Sequence, residues 1–390
     1  DWEKAFDKVD RNMMFKAMKR MGVHSKLIKL VQSVYKDTKF KVEIEGIASD
    51  WQEQHTGIRQ GCPLSPYLFL IVMTVLFKDV HKKTDHLLRP KRIPGATFDE
   101  VTYADDTICI STCTATINAF LKAIEEEGIK YGMKLNKGKC ELITTHTTAN
   151  VHFPDGTRVK TVPKATYLGC ELGMHTHSTA ELNKRFANTM MTMKKLDLFW
   201  RHSNCKTETK VHVAEAVLRS KLLYGLESAQ LNPAVVKRLE TFQLKVLRKI
   251  LQMKTTFVDR ANTNKSVFEK ANESIKTERE GKKEKEVISF IDAYKKQKRK
   301  RALRIIRKPN SAIHKISFQN NKLKKWIHPN RRAGRPRLSW TEETIKEIWE
   351  HIKQTNERYK YTTFNYDNDE HIEQIKQLAE QSRNEGENTD

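Results

Sequence analysis

The sequence predicts an α+β fold, in which an antiparallel sheet backed by helices extends to about residue 180 and helices alone follow. Three patterns support this prediction. Apolar side chains recur at every second position over residues 40–44, which is typical of a strand. Two short apolar runs flank the turn at residues 103–106, which favours a hairpin. From Val235 to Ile250, apolar residues recur at steps of three and four, which predicts an amphipathic helix.

The first elements carry recognisable start signals. Asp10 is placed to cap one helix, and Ser25 to cap a second. The strand at residues 40–44 has apolar side chains on one side and charged ones on the other, so we expect it to be half-buried. Ser65 followed by Pro66 combines a cap residue with a proline in the first turn, which predicts the start of a third helix.

The elements after the hairpin are predicted in the same way. A helix ending near Gly128 is followed by short strands and turns. Another helix covers roughly residues 207–228, before the amphipathic helix that begins at Asn232–Pro233. Residues 256–300 lose periodicity and gain Lys, Glu and Asn, so we expect a linker or a long solvated helix there. A last helix is predicted from Ser339 to about residue 353.

The charge of the chain indicates a polyanionic partner. The net charge is +24; residues 256–337 hold 25 Lys and Arg against 8 Asp and Glu, whereas residues 338–390 hold 6 against 13. A basic body with a very basic segment is typical of a nucleic-acid-binding protein, although solvated charge runs on a soluble protein give the same composition. The sequence contains no run of about 18 apolar residues, so we expect no membrane partner.

Two adjacent carboxylates, Asp105 and Asp106, are predicted at the tip of the apolar hairpin. Neighbouring carboxylates repel each other, and a divalent cation relieves that repulsion. Asp1, in a separate segment, is a third candidate ligand. An Asp pair alone is more often a turn feature than a metal site, because Asp favours turns. Carboxylates, a metal and a basic surface together indicate phosphoryl transfer on nucleic acid.

Two short basic motifs in the C-terminal half are candidate nucleic-acid contacts. The run Lys295–Arg301 is equally explained by a nuclear-import signal or by a solvated helix face. The segment Gly334–Arg337 (GRPR) is similar to the core of an AT-hook, although Ala333 stands where an Arg is expected. Its alternative is a basic turn before a helix. The candidate contact residues are Lys295, Lys296, Lys298, Arg299, Lys300, Arg301, Arg335 and Arg337.

Five segments, in this order along the chain, resemble the successive palm motifs of reverse transcriptases, most closely those of non-LTR retrotransposons of the LINE type. They are Asp1–Asp10 (DWEKAFDKVD), Gly57–Pro66 (GIRQGCPLSP), Tyr103–Asp106 (YADD), Gly132–Lys139 (GMKLNKGK) and Tyr167–Gly169 (YLG). Leu222–Gly225 and Leu247–Ile250 look like the thumb and post-thumb region of the same elements. Five motifs in one order are far more specific than any one of them alone.

The resemblance implies a metal centre and a catalytic lysine. Asp1 and Asp105 would ligate two Mg²⁺ ions, with Mn²⁺ as the alternative metal, and Asp106 would support them. Lys139 matches the lysine that protonates the departing pyrophosphate. For this position the alternative is an ordinary solvated lysine, because most lysines are exposed.

The resemblance also implies contacts to the incoming nucleotide and to the primer. Phe6 would stack against the sugar and exclude a 2′-hydroxyl by its volume, whereas a plain core aromatic is its alternative. Gln60 and Gly61 would form a loop that approaches the nucleotide and template closely, since glycine has no side chain. The primer grip, for which a simple β-turn is the alternative, would comprise Tyr167, Leu168 and Gly169.

For the fold, the resemblance implies the right-hand architecture of polymerases. Residues 1–180 would be the palm with its primer grip, and residues 181–255 a helical thumb. Residues 256–337 would be a basic, partly disordered linker that binds nucleic acid, and residues 338–390 a C-terminal helix with an acidic tail. The sequence starts at the first motif, so we expect a fragment of a longer protein, without the fingers and without the strand that precedes Asp1 in the family.

The predicted function is RNA-directed DNA polymerase activity. The partners would be an RNA template, a DNA primer or target, and deoxynucleoside triphosphates. The protein would act in the nucleus, with a cytoplasmic ribonucleoprotein stage as an alternative. The second hypothesis is a catalytically inactive remnant that binds nucleic acid, based on the absent fingers and the basic segment. An intron maturase is a weaker third hypothesis, because no splicing-linked domain is visible. The sequence predicts no oligomeric state.

Overall fold

The chain folds into two units. A computed structural model describes residues 1–84, 86–87, 100–145, 148–173, 178–275, 286–326 and 339–386. Unit 1 comprises Asp1–Arg92 and Thr97–Met174, and unit 2 comprises Ile93–Ala96 and His175–Asp390. The candidate contacts Arg335 and Arg337 lie outside the described residues.

Two helices of unit 1 begin at side-chain caps. The Asp10 side chain accepts a hydrogen bond from the Met13 amide at 2.8 Å and starts the second helix, as predicted. The predicted cap Ser25 is wrong, because Ser25 is already helical and the His24 Nδ1 accepts from the Lys26 amide at 3.2 Å instead. Within the described part of unit 1 the helices are α1 Ala5–Lys8, α2 Arg11–Arg20, α3 Ser25–Tyr35, α4 Ser65–Thr84 and α5 Thr114–Lys130.

The strands of unit 1 are short and pair two at a time. They are β1 Lys39–Phe40, β2 Glu43–Ile44, β3 Ile47–Ala48, β4 Gln52–Glu53, β5 Glu100–Tyr103, β6 Asp106–Cys109, β7 Glu141–Leu142, β8 Lys160–Thr161, β9 Lys164–Tyr167 and β10 Cys170–Gly173. β1–β4, β2–β3, β5–β6 and β9–β10 are antiparallel, and β7–β8 is parallel. The α+β class is therefore confirmed, but the described strands do not join into the single antiparallel sheet that was predicted.

The core of unit 1 lies among its helices. α4 buries Phe69, Val72 and Leu76, and α2 contributes Met14 and Met18. The strand predicted at residues 40–44 is wrong in its burial, because it is broken into β1 and β2 and its apolar side is exposed. Alternating apolar residues identify one side of a strand as apolar, but they do not show whether another element packs on that side. The exposed apolar side chains of β1–β4 and their turns are Phe40, Val42, Ile44, Ile47 and Trp51.

All the regular secondary structure in the described residues of unit 2 is helical. The helix predicted over 207–228 is divided into two α-helices with a π-helical turn, Ala214–Arg219, between them and a 3₁₀ turn, Leu226–Ser228, after them. Another 3₁₀ turn is Glu357–Tyr359. The helices are α6 Ser178–Lys195, α7 Asp197–His202, α8 Thr207–Val213, α9 Ser220–Leu223, α10 Pro233–Ile250, α11 Asn264–Ile275, α12 Phe290–Ile306, α13 Ala312–Ser317, α14 Trp340–Thr355 and α15 Asp369–Gly386.

Within residues 256–275 and 286–300, which the structure describes, the linker or solvated helix that the sequence predicted is wrong. Val267 of α11 and Phe290 and Tyr294 of α12 are buried in the same core as α10. Periodicity failed here because the Lys-rich surface of α12 obscures its narrow buried side. A second core in unit 2 joins α12 to α14 and α15, and α14 begins after its predicted cap Ser339. No helix in the described residues is long and apolar enough to cross a membrane.

Candidate active site

Asp1 is held in place by pairing with residues 134–136. The Asn136 amide donates to the Asp1 carbonyl at 2.9 Å, and Trp2 forms an antiparallel bridge with Leu135. The Trp2 ring is 4% exposed and lies over Gly128, where an added Cβ would come within 2.5 Å of the ring. The absence of a side chain at Gly128 therefore makes room for the tryptophan that fixes the backbone next to Asp1.

The hairpin β5–β6 places its two carboxylates in different surroundings. Asp105 occupies the two-residue turn and is half-buried, whereas Asp106 is the first residue of β6, opposite Tyr103, and is exposed. Ala104 has φ 54°, a left-handed conformation that costs a residue with a Cβ roughly 1–2 kcal/mol. Positive φ at the first turn position alone is the type II′ pattern that suits a tight hairpin. The backbone thus accepts strain at the residue next to Asp105.

The loop after β4 is fastened to α1 through a glycine. The Gly57 amide donates to the Val9 carbonyl at 2.8 Å, and the Ile58 amide to the Phe6 carbonyl at 2.7 Å. Gly57 has φ +80°, and a Cβ there would lie 2.5 Å from the Asp7 carbonyl oxygen. Only glycine satisfies both the conformation and the close approach. This contact fixes the loop that carries Gln60 and Gly61 beside the segment that follows Asp1.

Arg11 fastens the same loop from α2. Its guanidinium donates to the carbonyls of Gly57 at 2.9 Å and Gln54 at 2.7 Å and to the Thr38 hydroxyl at 2.8 Å, and it lies over the Tyr35 ring. Burial lowers the pKa of Arg11 from its usual value. Sequence reasoning missed this residue, because a single arginine after a helix cap carries no motif.

Phe6 and Gln60 are brought together on one side of the site. The Phe6 ring stacks on the buried Phe69 ring of α4, with centroids 4.8 Å apart and planes 18° apart. The Gln60 amide donates to Asp7 Oδ1 at 3.0 Å. Phe6 is only half-buried, so part of its ring remains available to a ligand.

A cavity of about 790 Å³ collects six of the seven residues predicted for the metal centre, the catalytic lysine and the nucleotide. Asp1, Asp105 and Lys139 line it together with Phe6 and the Gln60–Gly61 loop. Asp106 is not among the lining residues. The sequence predicted no contact with a ligand for the other residues that line the cavity, which are Trp2, Lys4, Ala5, Cys62, Pro63, Ser65 and Pro66.

The cavity offers oxygen donors to a cation. Lys139 Nζ lies 3.2 Å from Asp1 Oδ2, and its side chain is 67% exposed. In the part of the chain that the structure describes, no three His, Cys, Asp or Glu side chains are grouped closely enough to hold a metal ion. Mg²⁺ keeps several waters and is bound by one or two carboxylates together with substrate phosphates. The carboxylates of Asp1 and Asp105 at one cavity therefore fit such an ion.

Comparison with known proteins identifies the domain that contains this cavity. Residues 1–172 match the family described as reverse transcriptase (RNA-dependent DNA polymerase). Residues 1–172 form a reverse transcriptase domain. The family match covers all the palm motifs on which the sequence resemblance was based, so that resemblance is confirmed.

The relatives of this reverse transcriptase domain are polyproteins of non-LTR retrotransposons. A Pol polyprotein from type-1 retrotransposable element R2 of Nasonia vitripennis is 29% identical over 160 residues, covering 41% of this chain and 14% of the relative. Another R2 polyprotein, from Popillia japonica, is 23% identical over 65% of this chain and 42% of the relative. The RNA-directed DNA polymerase from mobile element jockey of Drosophila funebris is 25% identical over 64% of this chain and 28% of its own length. The chain thus spans less than half the length of each of these relatives.

The predicted primer grip lies against the hairpin of the reverse transcriptase domain. Tyr167, at the end of β9, donates its hydroxyl to the Val101 carbonyl of β5 at 3.2 Å. Burial raises the pKa of the Tyr167 phenol, and the Asp106 charge raises it further. Leu168 and Gly169 both have positive φ, as a two-residue type I′ turn requires. The β9–β10 turn is thus connected to the strand that leads to Asp105.

The predicted basic contacts after the reverse transcriptase domain fall on α12, and they divide into two groups. Lys295, Lys296 and Lys300 are exposed. Lys298 is fully buried, with its ammonium donating to Gln230 at 2.8 Å and Glu347 at 3.1 Å, so its prediction as a phosphate contact is wrong. A run of basic letters does not reveal which residue faces inward. The remaining two, Arg299 and Arg301, are partly buried.

Proposed function

We propose that this chain is the polymerase part of a non-LTR retrotransposon protein and extends a DNA primer on an RNA template. The observation that carries the proposal is that Asp1 and Asp105, 104 positions apart in sequence, line one cavity with Phe6, Gln60 and Lys139. A cavity lined by carboxylates and by an aromatic ring suits a nucleoside triphosphate, whose phosphates bind metal ions and whose sugar and base can pack against a ring.

In this proposal the two carboxylates hold Mg²⁺ while the loop and the aromatic ring orient the nucleotide. When bound, the metal ions would activate the primer hydroxyl and stabilise the charge on the departing phosphates. Asp1 and Asp105 are the ligands, and Asp106 acts from outside the cavity. Phe6, which stacks on Phe69, would pack against the sugar of the nucleotide and exclude a 2′-hydroxyl by its volume.

Lys139 supplies a proton to the departing pyrophosphate. Its ammonium rests beside Asp1 at 3.2 Å, and because most of the side chain is exposed it can turn from the carboxylate to a phosphate oxygen. Such a movement exchanges one anionic partner for another, so little electrostatic energy is lost. Tyr167 and its turn would hold the primer end near the hairpin, through the contact with Val101.

The experiment is primer extension on an RNA template with Mg²⁺ and the four deoxynucleoside triphosphates. The chain is compared with Asp105→Asn and with a control, Asp50→Asn, which makes the same change at an exposed residue that does not line the cavity. We expect Asp105→Asn to reduce the rate at least a hundredfold, in the range found when one electrostatic catalytic group is removed. Asp50→Asn should extend primers at the parent rate.

The outcomes separate this proposal from the second hypothesis. Extension by the chain that survives Asp105→Asn would contradict the assignment of that carboxylate. If the chain binds template and primer but neither it nor Asp50→Asn extends the primer, the chain is an inactive nucleic-acid-binding protein. The basic face of α12, with Lys296 and Lys300 exposed, is the observation that would favour that second function.

A further inference from the structure

The exposed face of α12 carries a row of cations. Lys296, Lys300 and Arg304 follow one another at four-residue steps, and Lys308 continues that spacing just beyond the helix end. All four are exposed. Residues four apart are neighbours on a helix surface and rise about 6 Å along the axis. The row, here called the basic stripe, therefore extends for roughly 12 Å along α12, and Lys308 follows beyond the last turn.

The carboxylate one turn before the basic stripe is engaged elsewhere, because Asp292 accepts a hydrogen bond from the Ser289 hydroxyl at 2.6 Å. None of the four side chains of the stripe forms an ion pair with another residue in the described ranges. The nearby carboxylates are engaged by other cations: Glu347 with Lys298, Glu227 with Arg301, and, on α14, Glu342, Glu343 and Glu350 with Lys325, Lys346 and Lys353.

The two sides of α12 thus differ in what they do. On the inner side, Lys298 is desolvated and fully paired, and the hydroxyl of Tyr294 donates to the Ala229 carbonyl at 2.8 Å. That side fixes the helix to unit 2. On the outer side, positive charge recurs without an ion-pair partner among the described residues, and such a cluster of one sign attracts an anionic ligand.

We propose that the basic stripe of α12 binds the sugar–phosphate backbone of a nucleic-acid duplex. A duplex strand advances about 3.4 Å per phosphate along its axis, so cations about 6 Å apart meet roughly every second phosphate. The stripe carries no exposed aromatic residue for stacking on unpaired bases, which single-strand binding uses. Recognition is by charge and spacing and reads no sequence.

This binding does not depend on the polymerase proposal, because it involves only unit 2. It is measured without nucleotides and without divalent metal, so a failure of catalysis leaves it unaffected. The stripe variant is Lys296→Gln, Lys300→Gln, Arg304→Gln and Lys308→Gln together. The control removes the same charge from four scattered exposed lysines, which are Lys206→Gln, Lys254→Gln, Lys270→Gln and Lys360→Gln.

The test is fluorescence anisotropy with a labelled DNA duplex and a labelled RNA–DNA hybrid over a series of salt concentrations. Four phosphate contacts predict that the slope of log affinity against log salt falls by about 3 to 4 in the stripe variant, with at least about tenfold weaker binding. We expect the control variant to lose less than one unit of slope. The duplex whose binding is weakened more is the natural ligand class.

Equal slopes for the parent, the stripe variant and the control would overturn the proposal. So would a stripe variant that loses binding to phosphatidylserine vesicles but keeps its duplex affinity, since the stripe would then face a lipid surface. Thermal unfolding followed by circular dichroism checks that the exposed substitutions leave unit 2 folded. If the variant unfolds early, the single changes Lys300→Gln and Arg304→Gln provide the same comparison, each with an expected slope change of about 0.9.

Discussion

At the scale of single residues, the site depends on positions that tolerate no ordinary side chain. A Cβ added at Gly57 would lie 2.5 Å from the Asp7 carbonyl oxygen, and one added at Gly128 would lie 2.5 Å from the Trp2 ring. The sequence places Gly57 in a glycine-rich turn, so a loop could be predicted. Its contact with α1 could not, because that contact depends on the three-dimensional position of Asp7, fifty residues earlier.

Replacing Gly57 by alanine tests this close approach. Gly57→Ala combines an unfavourable φ with a steric clash, so we expect unfolding free energy to fall by about 3 kcal/mol or more. Gly156→Ala is the control, because Gly156 has a similar φ of +83° but no atom within 4 Å. It should cost only about 1 kcal/mol. Equal losses in urea unfolding would show that the contact with Asp7 is unimportant.

The support behind Phe6 leads to a second prediction at this scale. Phe69→Leu removes the ring on which Phe6 stacks but retains an apolar side chain. We expect the preference for deoxyribonucleotides over ribonucleotides, measured as a ratio of kcat/KM, to fall by about three- to tenfold, since an aromatic pair contributes about 0.5–1.5 kcal/mol. Phe77→Leu, at another buried position of α4, is the control. An unchanged ratio in Phe69→Leu would show that Phe69 does not contribute to the specificity of the site.

At the scale of elements, the sequence predicted helix caps more reliably than it predicted which side chains are buried. Asp10, Asn232 and Ser339 each accept a hydrogen bond at the start of the predicted helix. These bonds are local, so the sequence contains all that is needed to predict them. The burial of β1 and β2 and the inward turn of Lys298 depend on distant partners, and there the sequence misled.

The short helix α13 provides a pH-dependent prediction. His314 is 5% exposed and stacks near Phe318, and burial, with the positive charge of Lys376, lowers its pKa. In the unfolded chain the His314 imidazole binds a proton near pH 6.5, whereas in the folded chain it binds one only at lower pH. The contribution of His314 to folding stability is therefore complete above about pH 6.5 and falls as the pH decreases below it.

Chemical unfolding at pH 7.5 and pH 5 measures this effect. We expect His314→Leu to reduce the loss of stability between the two pH values, because the proton-binding site is removed from both states. His212→Leu, at an exposed position of α8, is the control and should retain the full loss. If His314→Leu and the parent lose the same stability on acidification, the histidine does not contribute to the pH dependence.

At the scale of the whole molecule, the C-terminal helices are part of the fold of unit 2. The core that includes α10 continues into α11 and α12, and α12 shares a second core with α14 and α15. Trp340 at the start of α14 donates to the Glu227 carbonyl at 2.9 Å, and Lys298 connects α12 to both Gln230 and Glu347. Charge composition predicted a separate basic extension. It failed because composition does not show which side of a helix packs against the core.

The two sides of α12 can be compared with one substitution. Lys298→Met leaves Glu347 and Gln230 without their shared partner, and we expect unit 2 to lose about 2–3 kcal/mol of unfolding free energy. Lys300→Met, two residues later on the exposed side, should change it by less than about 0.5 kcal/mol. Equal effects in urea unfolding would mean that Lys298 is not part of the core.

The central claim is that the cavity lined by Asp1 and Asp105 holds the metal ions of a polymerase. Cleavage of the chain by hydroxyl radicals generated at bound Fe²⁺, which replaces Mg²⁺, tests it most directly. The account predicts cuts near residues 60–63 and 103–106 that are suppressed by excess Mg²⁺, lost in Asp105→Asn and retained in Asp50→Asn. Cuts that fall elsewhere, or that persist in Asp105→Asn, would contradict it.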